Sequence, residues 1–351
     1  MKISQLIKDR FKVLSIVGMM LSIFCILFVL VSGIFYLGYA YIDKVNPSTI
    51  YIPTGSSCSE QVDILYKSGA ISDTTEYINY LKRANVEKAK AGKYVIKSRI
   101  PYKKFINIIS IGRQKPVRMI FTASRTPEML AKKISRNIEC DSATIYDAIT
   151  SDSVANYYGF EKKTFMTMFV PNTYEVYWNV SQKTLFDRLK KEYDVFWSKD
   201  DREAKRQSLG MTREQVVTLA SIVYEESKVY QDMRKIAGVY MNRLDMHMPL
   251  QACPTAKYAA GDWTLTRVLK KHTEIDSPYN TYKIAGLPPG PIVYPSSVAV
   301  DAVLNYIKSK DIYFCAAPEF NGTHRFAPTY AKHKRNARAY YIAYKKRKAN
   351  N

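Results

Sequence analysis

Residues that bind metals or form disulfides are scarce in this 351-residue chain. It has four histidines and five cysteines, with no CxxC and no HExxH, and scattered single ligands do not make the paired spacings a metal centre needs. We expect no metal site and no cofactor. Cys25 falls inside a long apolar run, and Cys58, Cys140, Cys253 and Cys315 show no spacing that reads as a disulfide framework, so their pairing stays open. Acidic residues are also few: 31 Asp+Glu against 53 Lys+Arg leave a formal net charge of +22, which points to an anionic partner or surface. Nucleic acid is set aside. The basic residues are dispersed, no nucleic-acid motif is present, and a membrane segment would keep most of the chain out of the cytoplasm. No internal repeat is apparent.

Charge is missing altogether from Val13 to Ile42, a run of 30 residues where roughly 20 suffice to cross a bilayer. A single transmembrane helix is expected there. Lys2, Lys8, Arg10 and Lys12 precede it against one acid, Asp9, so the cationic side sets residues 1–12 in the cytoplasm and everything after Asp43 outside. Gly38-Tyr39-Ala40 is a faint match to a cleavage site, but the run is far longer than a signal-peptide core. Ile23 and Phe24 are too bulky for the small positions of a lipobox before Cys25.

Beyond a linker at Asn46 to Ser48, the pattern predicts a small unit over 46–112. Its helices cover Ser57–Lys67 and Asp73–Ala84, a β-rich run covers Lys93–Ile96, and a last helix starts near Pro101 and ends at Gly112. The remainder, 113–351, reads as a larger mixed domain. A strand is expected over Val117–Ala123, and helices begin at Thr126-Pro127 and Ser142. Pro171-Asn172-Thr173 reads as a turn. Lys183–Trp197 is an amphipathic helix, and Lys199–Gly210 an exposed charged connection. Helices are expected over Met233–Met246 and from Ser296 to about Lys308, with a hairpin from Ile312–Ala316 and His324–Phe326 and a basic helix over Thr329–Lys348. Ser277–Pro295 is rich in proline, tyrosine and glycine without a period, and a loop of that length in a compact domain is more often functional than not. The fold class is α+β.

The chemistry centres on the stretch from Thr212. Thr212 and Gln215 form a capping box that opens a helix, and Val216, Leu219, Ala220 and Val223 recur at helical steps, predicting one buried face. At roughly 100° per residue, Glu226 falls beside that face while Glu225 points away. A carboxyl at an apolar edge loses hydration and keeps its proton to higher pH, which suits a general acid. Periodicity alone also permits a solvated Glu226 paired with Lys228 or Arg234.

Resemblance resolves this. Ala220-Ser221-Ile222-Val223 followed by Glu226 resembles the A-S-I-V-x-x-E signature of the endolytic murein transglycosylases, the YceG-like family. In the same order follow Ala237-Gly238-Val239-Tyr240 with Asn242-Arg243-Leu244, Met248-Pro249-Leu250-Gln251, Pro254-Thr255, Ser277-Pro278-Tyr279-Asn280-Thr281-Tyr282 and Gly286-Leu287-Pro288-Pro289-Gly290-Pro291-Ile292. Several motifs in one order over about 120 residues are far more specific than any one of them. The chain departs from the family pattern at Cys253 and Asn172, where members usually carry Asp, and at Phe320-Asn321-Gly322-Thr323, where they carry a Gly-rich turn before the H-x-F element, here His324-Arg325-Phe326.

The resemblance implies a membrane-anchored enzyme of a bacterial inner membrane. It cuts the MurNAc-β-1,4-GlcNAc bond of nascent peptidoglycan strands and leaves 1,6-anhydroMurNAc ends, with peptidoglycan synthases as partners. Glu226 would serve as acid, then base. Asn242, Arg243, Gln251, Thr255, Tyr279, Asn280, Tyr282, Thr173, Tyr174 and His324 would hold the strand. Residues 46–112 resemble the family's LysM-like subdomain through Ala91-Gly92-Lys93-Tyr94 and Pro101-Tyr102. A glycan-binding and a purely spacing role for them stand about level. Two rivals remain: a muramidase pairing Glu226 with Glu225, Asp232, Asp245 or Asp262, and an anchored wall-binding scaffold without catalysis.

Overall fold

The computed structural model describes the backbone of residues 2–42 and 44–349, and the side chains of 14–34 and 44–349. The flanking charges from Lys2 to Lys12, the Gly38-Tyr39-Ala40 triplet and Asp43 lie outside the described side chains. One helix runs Lys2–Ile42. Within it, Leu14–Ile34 has a mean hydropathy of 2.8 and exposes every large apolar side chain, so it is long and apolar enough to cross a membrane. The chain divides at 116 into two compact units.

The first unit has the predicted helices and β-run in order, and adds three strands, Lys44–Val45, Ser48–Ile52 and Ile100–Pro101, that were not expected. Strand Ser48–Ile52 pairs antiparallel with Gly92–Ile96, and Lys44–Val45 pairs with Ile100–Pro101. Between the long strands lie helices Cys58–Lys67 and Thr74–Arg83, capped by Ser57 with Glu60 and by Asp73; Tyr102–Ile111 follows, ended by Gly112 at φ 75°. Alternation puts Ile50, Ile52, Tyr94 and Ile96 inward against Leu65, Tyr77, Leu81 and Phe105. Gln61 is the one amide in this core. It both donates to and accepts from the backbone of Ala89, at 3.0 and 2.8 Å, and so costs little to bury.

The second unit is built around helix Arg213–Glu226. Its capping box forms as predicted, with Thr212 and Gln215 each bonding the other's backbone N–H. Periodicity predicted one buried face, but all eight residues Val216 to Val223 are buried, so this helix is core on every side. Ser221, fully buried, makes this tolerable by donating to Thr218 and accepting from Ile292 N–H. Helices Tyr230–Asp245 and Ser297–Leu304 pack against it. Gly238 lets the first of these approach the backbone of Ile307, whose oxygen would stand 2.3 Å from an added Cβ.

Two expectations change. Asn172–Val176 is a strand paired with Val117–Phe121, not a turn; the pairing partner is distant in sequence, so local turn chemistry could not reveal it. Lys199–Gly210 contains a helix, Arg202–Ser208. Its Arg202 is buried, bonded twice to Asp301 at 2.7 and 3.1 Å and seated over Phe196. A further helix, Cys253–Ala260, was not assigned from the sequence; it has no side-chain cap and carries Pro254 in its first turn. Elsewhere the hairpin forms from Tyr313–Ala316 and His324–Ala327, and Tyr330–Ala349 is the last helix. Ser277–Pro295 carries no helix or strand yet is pinned at Asn280, Ile292 and Tyr294. Cys25, Cys58, Cys140, Cys253 and Cys315 are all free.

Gly238→Ala should lower stability by about 1–3 kcal/mol, since the added methyl meets backbone rather than a movable side chain. Thermal unfolding of the variant beside the parent checks this.

Candidate active site

Glu226 is the last residue of the central helix, and Ser227 turns extended directly after it. The chain reverses through Val229 into Tyr230–Asp245. This brings Tyr240 back to Glu226, where its phenol donates to Oε1 at 3.1 Å. Glu226 lies on the wall of a cavity of about 380 Å³, together with Arg243, Gln251, Cys253, Tyr282 and His324. The hairpin, with Tyr330 and His333 of the last helix, supplies the opposite lining. Partly exposed to that space, the carboxyl is otherwise enclosed by protein. Loss of hydration raises its pKa from 4.5 to about 7, against the opposing pull of His324, the Tyr240 hydrogen bond and Lys257. Its place at a helix C-terminus acts in the same sense as burial, because the helix dipole disfavours an anion there.

Several neighbouring charges are paired elsewhere. Glu225 pairs with Arg125 at 3.2 Å and Lys228 at 3.6 Å. Arg234, the other partner considered for Glu226, donates to Asn305 O. Asp232 accepts from His324 at both oxygens, from the backbone N–H at 2.9 Å and Nδ1 at 2.7 Å. Burial works to raise the Asp232 pKa, but the His324 bonds and Ser227 hold it below the usual value. It therefore stays anionic, which fixes the proton on Nδ1 of His324. Asp262 is held by Thr264, and Asp245 is exposed at the far end of its helix. Among the described residues, Glu226 is the only carboxyl on the cavity wall.

The expected strand-holding residues divide into two sets. Arg243, Gln251, Tyr282 and His324 stand around the cavity with Glu226. Arg243, however, spends its donors on the carbonyls of Ile312, Pro249 and Leu250, while burial lowers its pKa. Asn242 is off the wall, bracketing the backbone at Ser309 and Asp311. Thr255 and Asn280 are fully buried: one bonds Ala252 and Thr281, the other Thr273 and Ile275. Tyr279 packs on Tyr258 at 4.6 Å. Thr173 and Tyr174 sit in the Asn172–Val176 strand, where Tyr174 stacks on Phe121 and donates to Val170 O. These six stand off the wall: five shape loops and core, and Thr173 is exposed on its strand. Tyr240 and Cys253 stood in or beside the family motifs without being assigned a site role, and the wall residues Tyr313, Phe314, Cys315, Tyr330 and His333 had no local signal as site residues.

The raised carboxyl pKa carries a stability signature. Between about pH 4.5 and about 7 the folded state binds a proton that the unfolded chain has lost, so stability falls as pH rises through this window. Glu226→Gln removes the titration. The variant should match the parent below pH 4.5 and exceed it by about 1–3 kcal/mol above pH 7, as chemical denaturation on either side of the window would register.

Known proteins resemble the chain over most of its length. It is 29% identical over 342 residues to the endolytic murein transglycosylase of Bacillus subtilis (strain 168), covering 91% of this chain and 93% of that protein. It is 29% identical over 337 residues to the endolytic murein transglycosylase of Streptococcus pneumoniae serotype 2, covering 84% of this chain and 60% of that longer protein. The crystal structure of a YceG-like protein from Listeria monocytogenes superposes with a TM-score of 0.54 at 26% identity, covering 84% of this chain and 98% of that one. The model of the YceG-like family matches residues 50–339, so the chain, with its glutamate at the end of a buried helix, belongs to the YceG-like family.

Proposed function

We propose that this protein is a peptidoglycan lytic transglycosylase, a carbon–oxygen lyase that cuts within glycan strands. The observation that carries the reading is the solitary carboxyl, Glu226, held near pKa 7 on the cavity wall. Glycoside hydrolases pair two carboxylates, one to protonate the leaving oxygen and one to activate water or attack the sugar. Here the other candidate acids, Glu225, Asp232, Asp245 and Asp262, are tied up or turned away. One carboxyl is enough if the nucleophile comes from the substrate. In its acid form Glu226 gives its proton to the oxygen bridging MurNAc and GlcNAc as the bond to C1 breaks. The resulting carboxylate takes the proton of the muramyl C6 hydroxyl as that oxygen closes on C1. The acid is restored, no water is consumed, and the product ends in 1,6-anhydroMurNAc. The names of the Bacillus and Streptococcus relatives support the same reaction class.

Within this reading Tyr282, Gln251 and His324 hold the strand, since they line the cavity beside Glu226. Helix 2–42 serves as a single-pass anchor in the inner membrane, with the N-terminus in the cytoplasm and both folded units outside. Residues 46–112 serve as a LysM-like subdomain; that they have a core of their own supports a separate folding unit. Tethering would favour nascent strands close to their synthases.

Mass analysis of peptidoglycan digested with the full chain in detergent tests the proposal. Anhydromuramyl ends should appear with the parent and fall at least about a hundredfold with Glu226→Gln, the scale set by losing a general acid. Reducing ends would replace this reading with a muramidase. No cleavage by the parent would leave a wall-binding scaffold.

A further inference from the structure

The two oxygens of Glu226 are treated differently. Oε1 accepts the Tyr240 phenol at 3.1 Å, while Oε2 has no protein partner among the described residues. Tyr240 is 1% exposed, its ring lies edge-on to Phe314 at 5.7 Å, and its hydroxyl bonds no other group among the described residues. Burial and the adjacent carboxyl push the phenol pKa well above 10. The phenol therefore keeps its hydrogen, and among the described residues its acceptor is Oε1. The sequence makes this contact by breaking the helix at Ser227 and reversing the chain, so that a residue about three turns into the next helix faces back to the end of the one before it.

From this geometry we propose that Tyr240 is a positioning residue: by occupying Oε1 it leaves Oε2 as the oxygen that carries the transferable proton. The proposal rests on the acid–base role assigned above to Glu226. In the acid form the O–H bond is on Oε2, and Oε1 is the carbonyl oxygen that accepts from Tyr240. When the proton passes to the bridging oxygen, the electron pair of the O–H bond stays on the carboxylate, and Tyr240 now donates to an anion. Hydrogen bonds to ionised acceptors are roughly twice as strong as neutral ones, so the contact tightens as charge develops and favours the transition state over the ground state. In the second half Oε2 takes the C6 hydroxyl proton and the charge is lost. Tyr240 keeps its own proton throughout. It also locks the carboxyl plane, because a group bonded at one oxygen cannot rotate freely about its last torsion. The rival is that Tyr240 merely fills space between Glu226 and Phe314.

The test is the titration of the Glu226 carboxyl carbon by carbon-13 NMR in the full chain, with the signal assigned by its loss in Glu226→Gln. Tyr240→Phe keeps the ring and its edge contact and removes only the hydroxyl. It should move the midpoint up by about one pH unit, the amount expected for losing one hydrogen bond to a carboxylate. A fluorinated tyrosine placed at position 240 keeps the hydroxyl, donates more strongly, and should move the midpoint down. Space-filling alone predicts no movement in either, and that result would overturn the proposal. Should the Phe variant not fold, the fluorinated chain, with its shape and hydroxyl intact, decides alone. In digests, the basic limb of kcat should follow the same two directions, and kcat of Tyr240→Phe should fall roughly tenfold with KM unchanged. A parent that made no anhydromuramyl ends would sink the assigned reaction without touching the titration, so the two failures read differently.

Discussion

A carboxyl that must keep its proton near neutral pH cannot have a cation for a close partner, and much of the second unit is arranged around that condition. Arg125 and Lys228 go to Glu225, one residue away on another face of the helix. Arg234 goes to the carbonyl of Asn305, and Arg243, although on the cavity wall, is spent on carbonyls of the loops beside it. A formal net charge of +22 makes this segregation harder, because cations are abundant and one of them paired with Glu226 would bring its pKa back down. The partner it does have, a neutral phenol, orients the group without neutralising it.

The motif residues around the site fall into two kinds of work. Few of them reach the cavity; more of them hold the irregular backbone that surrounds it. Asn280 ties Thr273 and Ile275, Thr281 meets Ala252 and Thr255, and Asn242 gathers Ser309 and Asp311. A long segment without helix or sheet leaves many peptide groups to be paired by side chains, and buried peptide groups are seldom left unpaired. Fixed spacing in such motifs then follows from backbone satisfaction as much as from substrate contact.

Local signals explain what could be read from the sequence. The caps at Thr126, Thr212 and Ser296 form as read because each partner lies within three residues. The α+β class and the order of the first unit's helices followed from local pattern, and the position of Glu226 at the apolar face followed from helical phase. The rest depended on distant pairing. Strand Asn172–Val176 exists through Val117–Phe121, the buried Arg202 through Asp301, and the Asp232–His324 bond spans 92 residues. Tyr240 illustrates the limit best: its spacing marks it correctly as buried, and nothing in spacing says that its hydroxyl meets a carboxyl across a break between helices.

The cavity draws its walls from both ends of the second unit's later half: Glu226 comes from the central helix, whereas His324, the hairpin and His333 come from near the C-terminus. A ribosome delivers these parts in order. While the chain is being made, the glutamate helix exists before the residues that complete the enclosure of its carboxyl, and until those arrive the loss of hydration that raises its pKa is incomplete. An enzyme able to cut a load-bearing polymer would thus be harmless during its own synthesis, and a chain cut short before the hairpin would carry the acid without the surroundings that make it one.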